Sequence, residues 1–450
     1  MEWKSLLSAT RLGSSGPDGD FRSPFQRDFD RIIFCSALRR LQDKTQVFPL
    51  AKNDYVRTRL THSLEVSSVG RSLAFNIGTA LKNKYGFSEL HPYYFGEIVA
   101  AACLAHDIGN PPFGHSGEDA ISAWFKKPEN QEALAGLSQN QKAEFQNFEG
   151  NAQGFRVLCT LQKHNRGSDR FGGLQLTHAT LGAFLKYPRR AFLDACDKRR
   201  ISHKKYNYFE TEADDFLEVV QGCGLLETVA KESYARHPLV FLVEAADDIS
   251  YTIADLQDGF RLGLVPYEKI RDFLLDILKD RGQIIRKEIR NFSDNKDKIE
   301  HLAGKAIGQL VKEISEVFLE HEEGLLKAEM DQPLTALMPS QALLKQMFEY
   351  AHQNIYTSPE VVNLKLAGFT IISGLLDIFV PAVCFHTDKQ NYNHHKHQLV
   401  LRLIPGQFME DIGLAHTAYE KLHRITDYIA GMTDSYAVRL YRKLHGIAVD

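Results

Sequence analysis

Apolar residues recur along this chain at spacings of three and four far more persistently than at spacings of two, and that rhythm limits what it can fold into. Stripes at i, i+3 and i+4 run through 60–81, 93–107, 149–162, 239–257, 268–290, 301–320, 340–355 and 359–380. Strand-like alternation is scarce, so the pattern predicts an all-α, multi-helix body. The breakers between stripes are Gly109-Asn110-Pro111-Pro112, Tyr187-Pro188, Gly259, Pro266 and Pro381. Ser358-Pro359 reads as an N-cap followed by proline at the first helical position. Four stretches read as loops: Leu12 to Ser23, Lys126 to Gln141, Asn165 to Gly173 and the polar tract His386 to Gln398.

Composition removes classes rather than choosing one. Across 450 residues, 54 Lys and Arg stand against 57 Asp and Glu, a net charge of −3 that argues against a globally basic nucleic-acid surface. The six cysteines (35, 103, 159, 196, 223 and 384) contain no C-x-x-C pair, which fits reduced, mostly buried thiols. Met1 to Leu7 never develops the apolar run of a signal peptide. The longest apolar stretch, Phe369 to Phe385, contains Asp377 and Pro381 and falls short of the ~20 residues that span a bilayer. It is expected to be a buried helix of a cytoplasmic protein with no membrane partner.

Three polar groups interrupt the apolar stripes. Phe95, Val99, Ala102 and His106 share one helix face, so His106 points into the interior beside Asp107 as that helix ends. His62 extends the stripe Val66, Val69, Leu73, Ile77 and Ala80, although imidazole suits an apolar core poorly. Asp247, Tyr251 and Asp255 repeat every four residues on a helix whose other faces are apolar. A polar stripe on a buried helix must meet something that satisfies it: an internal ion pair, water, or a metal with its ligand. A satisfied core histidine, a carboxylate near a helix end and a salt bridge are the bland readings of the same residues. Taken together, His62, His106, Asp107 and Asp247 offer two imidazoles and two carboxylates, a mixed set suited to a divalent ion with open positions. Mn, Mg, Fe, Co, Ni and Zn all stay open, with Mn or Mg favoured.

The H…HD…D pattern resembles the HD-domain metallophosphohydrolases, and the surrounding segments resemble their deoxyguanosinetriphosphate triphosphohydrolase branch. Those segments are Arg31-Ile32-Ile33, Leu38 to Phe48, Arg57 to Ser63, Ala105 to His115 and Phe148 to Gln153. Leu185-Lys186-Tyr187-Pro188, Glu244 to Ile249 and Gly431-Met432-Thr433-Asp434 complete the series. The resemblance implies an HD fold with additional C-terminal helices. It also implies a catalytic core over 1–290 and a helical region over 291–450, or one continuous domain, since only the charged stretch near 290–300 suggests a boundary. His62, His106, Asp107 and Asp247 would ligate the metal, with Asp248 the alternative to Asp247. His115 would be the catalytic histidine and Glu118 its acidic partner. Arg59, Asn151 and Lys186 would contact the triphosphate, and Gln46, Tyr251 and Asp255 the deoxyribose.

The implied activity is hydrolysis of a dNTP, dGTP favoured, at the α-phosphate to a deoxynucleoside and inorganic triphosphate. An HD phosphohydrolase acting on another phosphoester, and a single-stranded-DNA-binding or regulatory HD protein, are the alternatives. The family further implies a homo-oligomer, with single-stranded DNA or an allosteric nucleotide as further partners. The basic excess from Tyr187 to Tyr206 (Lys/Arg at 189, 190, 198, 199, 200, 204 and 205) suits a solvated face or an anion site. His394-His395-Lys396-His397 reads as an exposed polar loop, and Arg439 and Arg442 as contacts to a base or a neighbouring subunit.

Overall fold

The computed structural model describes residues 1–13, 21–48, 55–86, 91–162, 172–194, 196–197, 199–279, 282–385, 393–406, 408–409 and 417–447. Most of the loop expected over Asn165 to Gly173, parts of those over Leu12 to Ser23 and His386 to Gln398, and Lys198 lie outside the described residues. Short helices α1 (Trp3–Leu6), α2 (Pro24–Ile33) and α3 (Ser36–Arg40) lead into the long α4 (Arg59–Tyr85), which packs along α5 (Pro92–Ala105). Then follow α6 (His115–Lys126), α7 (Gln139–Gln146), α8 (Gly150–Arg156), α9 (His178–Phe184), α10 (Ala213–Gly222) and α11 (Val240–Arg261). The remainder is α12 (Tyr267–Ile277), α13 (Gly282–Glu288), α14 (Asn295–Leu326), α15 (Gln341–Asn354), α16 (Pro359–Phe385), α17 (His394–Leu401), α18 (Ala418–Ala430) and α19 (Asp434–Leu444). Two short antiparallel strands, Glu227–Val229 and Ser233–Tyr234, form the one sheet among the described residues. The fold is all-α, as the periodicity predicts.

Tertiary packing overrides several local signals. Gly259 does not stop α11, which continues to Arg261; a Cβ at Gly259 would stand 2.7 Å from Ile355 Cδ1, so the small residue admits a neighbour instead. Pro381 lies inside α16, whose burial against α6 and α18 sustains the helix past one missing N–H. The stripe at 149–162 is α8 followed by a π-helical turn, Val157–Leu161. The stripe at 268–290 divides into α12 and α13. The supposed loop at Lys126 to Gln141 holds a 3₁₀ segment, Pro128–Leu134, and the start of α7. The histidine-rich tract is the first turn of α17, with His397 buried, rather than an exposed loop. Pro359 does open α16, although Ser358 Oγ is buried without a partner.

The apolar run after Phe369 belongs to a helix longer than the run itself. Over Pro359–Cys384, 26 residues, it is long and apolar enough to cross a membrane by length and composition alone. Half of its most apolar window is buried inside the protein, which is how a core helix is seated. All six cysteines are free, four of them buried. Two apolar cores divide the chain. One gathers α4, α5, α9, α11 and α14; the other joins α6 and α7 to α16 and α18. The candidate site uses residues from both sides of that division.

Candidate active site

Helix α4 starts from a reciprocal cap in which Thr58 and Thr61 satisfy each other's backbone N–H groups. That cap fixes the first turn, where Arg59 and His62 face inward, 7% and 1% exposed. Helix α5 stops at Ala105, four residues before the expected break at Gly109, and His106 is its C-cap. The chain then passes through tight turns, with Ile108 N–H donating to Ala105 O and Asn110 N–H to Asp107 O. The His62 and His106 rings stand edge to face, centroids 5.4 Å apart.

Asp247, projecting from α11, completes the meeting. Its Oδ1 lies 3.0 Å from His62 Nε2 and 3.6 Å from His106 Nε2. One ligand atom from each of the three residues falls within 4.8 Å of the others. His106 Nδ1 donates to Cys103 O at 2.7 Å, which orients the ring so that Nε2 faces Asp247. This is the arrangement expected of an imidazole metal ligand with its second nitrogen tied down. Two nitrogen donors and a carboxylate oxygen around one point suit a divalent ion of borderline hardness. Asp107 lies alongside, Oδ2 3.7 Å from His106 Nε2, but it also accepts from Arg59 Nη1 at 2.7 Å and from Asn110 Nδ2. Asp248 turns elsewhere, accepting Thr335 Oγ1 at 2.7 Å, and burial pushes its carboxyl up to about 7. Asp247 is therefore the carboxylate that the fold delivers to the two histidines. Burial works against its charge, yet the neighbouring His106 and His62 hold it down at about 2. Burial likewise disfavours a charged His62, but the Asp247 hydrogen bond and charge outweigh it and raise its pKa.

A second pair sits at the rim. Phe113 and Gly114 both adopt positive φ, +64° and +59°, and so swing the chain into α6 with His115 as its first residue. Gly114 is required twice over, since a Cβ there would also lie 2.3 Å from Arg59 Nη2. His115 Nδ1 is 2.8 Å from Glu118 Oε2, and Glu118 Oε1 accepts the Gly150 N–H at 2.8 Å. The His115 side chain is 77% exposed and that of Glu118 only 7%. The hydrogen bond and charge of Glu118 raise the His115 pKa. Burial opposes ionisation of Glu118, but the His115 contact and the nearby Lys205 carry its pKa below the ordinary glutamate value. Lys205 lies 3.9 Å from Glu118 and 3.1 Å from Glu149. Asn151, on α8, donates through Nδ2 to Glu149 Oε1 at 2.6 Å.

The remaining expected residues line the same face of α11 or approach it. Lys186 Nζ stands 3.3 Å from Glu244, whose charge more than offsets the burial of the ammonium and keeps Lys186 cationic. Asp255 accepts Tyr356 Oη–H, and burial pushes its carboxyl up to about 6. Tyr251 packs edge-on to Phe348 at 6.4 Å, and Phe348 lies 6.2 Å from Tyr356, extending an aromatic wall along that face. Gln46 sits beyond the Thr45–Thr58 bridge with its Oε1 buried and unpaired.

Tyr356, Lys205 and Asn110 escaped attention as site residues in the sequence. Lys205 was visible there only as one charge in a basic run. That run is largely engaged by the protein itself. Arg189 donates to the Arg190, Ala191 and His203 carbonyls, Arg190 pairs with Glu232, and Arg199 pairs with Asp197. Lys204, Lys205, Arg189 and Arg200 line a hollow of about 570 Å³ that opens beside Glu118 and Glu149.

The HD-domain family model matches residues 59–184, and a phosphohydrolase-associated domain matches 338–443. A Synechocystis protein named deoxyguanosinetriphosphate triphosphohydrolase-like is 42% identical over the full length of both chains. A Pseudomonas aeruginosa protein of the same name is 36% identical across 99% of each chain. The Cronobacter sakazakii protein named deoxyguanosinetriphosphate triphosphohydrolase is 32% identical across 94% of each. With two histidines and an aspartate converging where the HD pattern requires them, and relatives matched from end to end, the chain belongs to the deoxyguanosinetriphosphate triphosphohydrolase family of HD-domain hydrolases.

Proposed function

We propose that this hydrolase is a metal-dependent dNTP triphosphohydrolase, with dGTP the favoured substrate. The observation that carries the reading is the convergence of the His62, His106 and Asp247 donor atoms within 4.8 Å, beside Arg59 and Lys186. His62, His106, Asp107 and Asp247 would hold the ion. When bound, a divalent ion there would polarise the α-phosphate and lower the cost of delivering hydroxide to it. Relatives named for dGTP favour that base.

This chain's own residues account for the rest. A dNTP carries about four negative charges near neutrality, and Arg59, Lys186 and Lys205 supply the local cations that an acidic protein otherwise lacks. Asn151, held by Glu149, would add an amide donor. The oxygen of water bonds to the α-phosphorus as the bond from phosphorus to the nucleoside 5′-oxygen breaks; the proton that the water gives up passes to solvent, from which His115 is recharged after each turnover. His115, kept protonated toward neutral pH by Glu118, gives its proton to the departing 5′-oxygen. The products are a deoxynucleoside and intact triphosphate. Tyr251, backed by Phe348, and the Tyr356–Asp255 pair would close around the sugar and disfavour a 2′-hydroxyl that lacks a partner.

Four dNTPs and four NTPs, each with Mn²⁺ or Mg²⁺, test the proposal through the phosphate product. Release of triphosphate from deoxynucleotides, dGTP fastest, is expected. Orthophosphate as the product would point to another phosphoester, and no cleavage under any metal would end the enzymatic reading.

A further inference from the structure

Asp434 belongs to the Gly431-Met432-Thr433-Asp434 segment, to which the proposed reaction gives no part. It opens α19 and is 3% exposed. Its Oδ1 accepts the Phe113 N–H and its Oδ2 the Thr45 N–H, each at 2.9 Å, across 321 and 389 residues of chain. Lys44, equally buried, repeats the tie from the other side. Its Nζ donates to Asn110 O at 2.5 Å and to Ala430 O at 3.0 Å. The end of α18 and the start of α19 are thereby fastened to two loops of the site. One of them passes through Phe113 and Gly114 into His115. The other carries Gln46 and, through the Thr45–Thr58 bridge, the start of α4 with Arg59.

Phe113 shows why such a fastening is needed. A side-chain-bearing residue at φ +64° holds that conformation only where its surroundings over-determine it. Glu118 binds on either side of this turn rather than to it, its Oε1 accepting Gly150 N–H and its Oε2 lying against His115 Nδ1. Gly114 presses against Arg59, so movement of this turn reaches the phosphate-binding guanidinium as well as His115.

We infer that Asp434 is a positioning residue: its carboxylate clamps the Phe113–Gly114 turn and the Thr45–Gln46 loop, and so sets His115 over the reacting phosphate. The inference rests on the reading of His115 as the catalytic group. Asp434 is buried, and both of its oxygens are occupied by backbone donors. Asparagine at this position would match its shape but turn an N–H₂ toward one of those donors, leaving a buried N–H unpaired.

Asp434→Asn in the full chain is therefore expected to lower kcat for triphosphate release from dGTP by about 10²-fold, the scale of a small misplacement of a reacting group. KM should rise by a smaller factor than kcat falls, through the displaced Arg59, and Mn²⁺ affinity should stay near the wild-type value. Thr433→Ala is the control. Thr433 Oγ accepts Tyr436 N–H at the start of α19, so its loss should lower Tm and leave kcat alone. The His115 ring titration, followed by NMR, reads the same effect without any nucleotide. Its midpoint should fall in Asp434→Asn as the ring loses its register with Glu118. A wild-type kcat in Asp434→Asn, an unmoved His115 midpoint, or kcat losses that track Tm in both variants would overturn the inference. Failure of the wild-type chain to release triphosphate would instead count against the proposed substrate and leave the NMR test standing.

Discussion

In the proposed reaction His62 and His115 would serve one site from opposite physical situations. His62 is 1% exposed, locked between α4 and α11 by Asp247, and surrounded by groups that each lean on another buried charge. His115 is mostly open to solvent and is steadied by one carboxylate and by the turn that precedes it. The contrast follows from what each end must do. Donors for an ion must hold a fixed spacing, which burial and mutual pairing supply. A group that hands over a proton must reach a substrate that arrives and leaves. Damage at the deep end should therefore remove the ion together with the activity, whereas damage at the rim should remove chemistry alone.

The largest effect is expected at the deep end. His106→Ala takes away one imidazole while leaving the His62–Asp247 ion pair to hold the packing. Triphosphate release should fall by roughly 10³-fold or more, as for one member of a group that acts as a unit. Mn²⁺ binding measured on the same protein should be lost with it. Retained hydrolysis would remove His106 from the metal set. His115→Ala comes next, with an expected loss of about 10²–10⁴ in kcat, the range of general acid–base catalysis. Here Mn²⁺ affinity and Tm should hold, because an exposed side chain contributes little to stability. A variant that lost Mn²⁺ binding as well would erase the distinction between the two ends.

Glu118→Gln sharpens the comparison through pH. Glu118 raises the His115 pKa, while Arg59 and Lys205 oppose it. As the proposed proton donor, His115 would work below its pKa, so activity should decline as pH rises through that value. Removing the Glu118 charge lowers the pKa, and the alkaline limb of the kcat profile should move toward about 6.5, where unperturbed histidine titrates. A limb that stayed in place, or moved upward, would take His115 out of the proton transfer.

The same contrast explains what could be read from the sequence. His62, His106 and Asp247 stood out because imidazole and carboxylate on otherwise apolar helix faces need a physical reason, and the helical period places them without a structure. Helices α4, α5 and α11 were legible for the same cause. Gly259 and Pro381 misled because breaker propensities describe an isolated helix, whereas Ile355 packing and the burial of α16 decide in the folded chain. Lys205, Tyr356 and Asp434 reach the site through space from distant segments, and a surface-like lysine, a tyrosine after a helix and an aspartate at a helix start have no periodicity to betray them. The rim was legible only through the family resemblance that marks His115 and Glu118. What holds that pair in place was not.

The smallest effect is expected far from both ends, where α7 meets α18. Glu144 is fully buried, and burial pushes its carboxyl up to about 8. Its Oε1 accepts Asn140 Nδ2 and Glu210 N–H; its Oε2 accepts Tyr419 Oη–H and faces His423 Nε2 at 3.3 Å. Burial and the nearby Arg156 hold His423 well below its usual pKa, so near neutrality a proton on Glu144 bridges to an uncharged ring. A carboxyl whose pKa is raised by folding binds a proton that the unfolded chain releases near pH 4.5. Its stabilisation is thus complete below that value and is lost as pH rises through about 8. Glu144→Gln keeps the shape without the titration. Its Tm should fall less than the wild-type Tm between pH 7 and pH 9, with triphosphate release at neutral pH unchanged. Parallel Tm curves would mean that Glu144 is ionised in the fold, and that α18 is held to α7 by charge rather than by a shared proton.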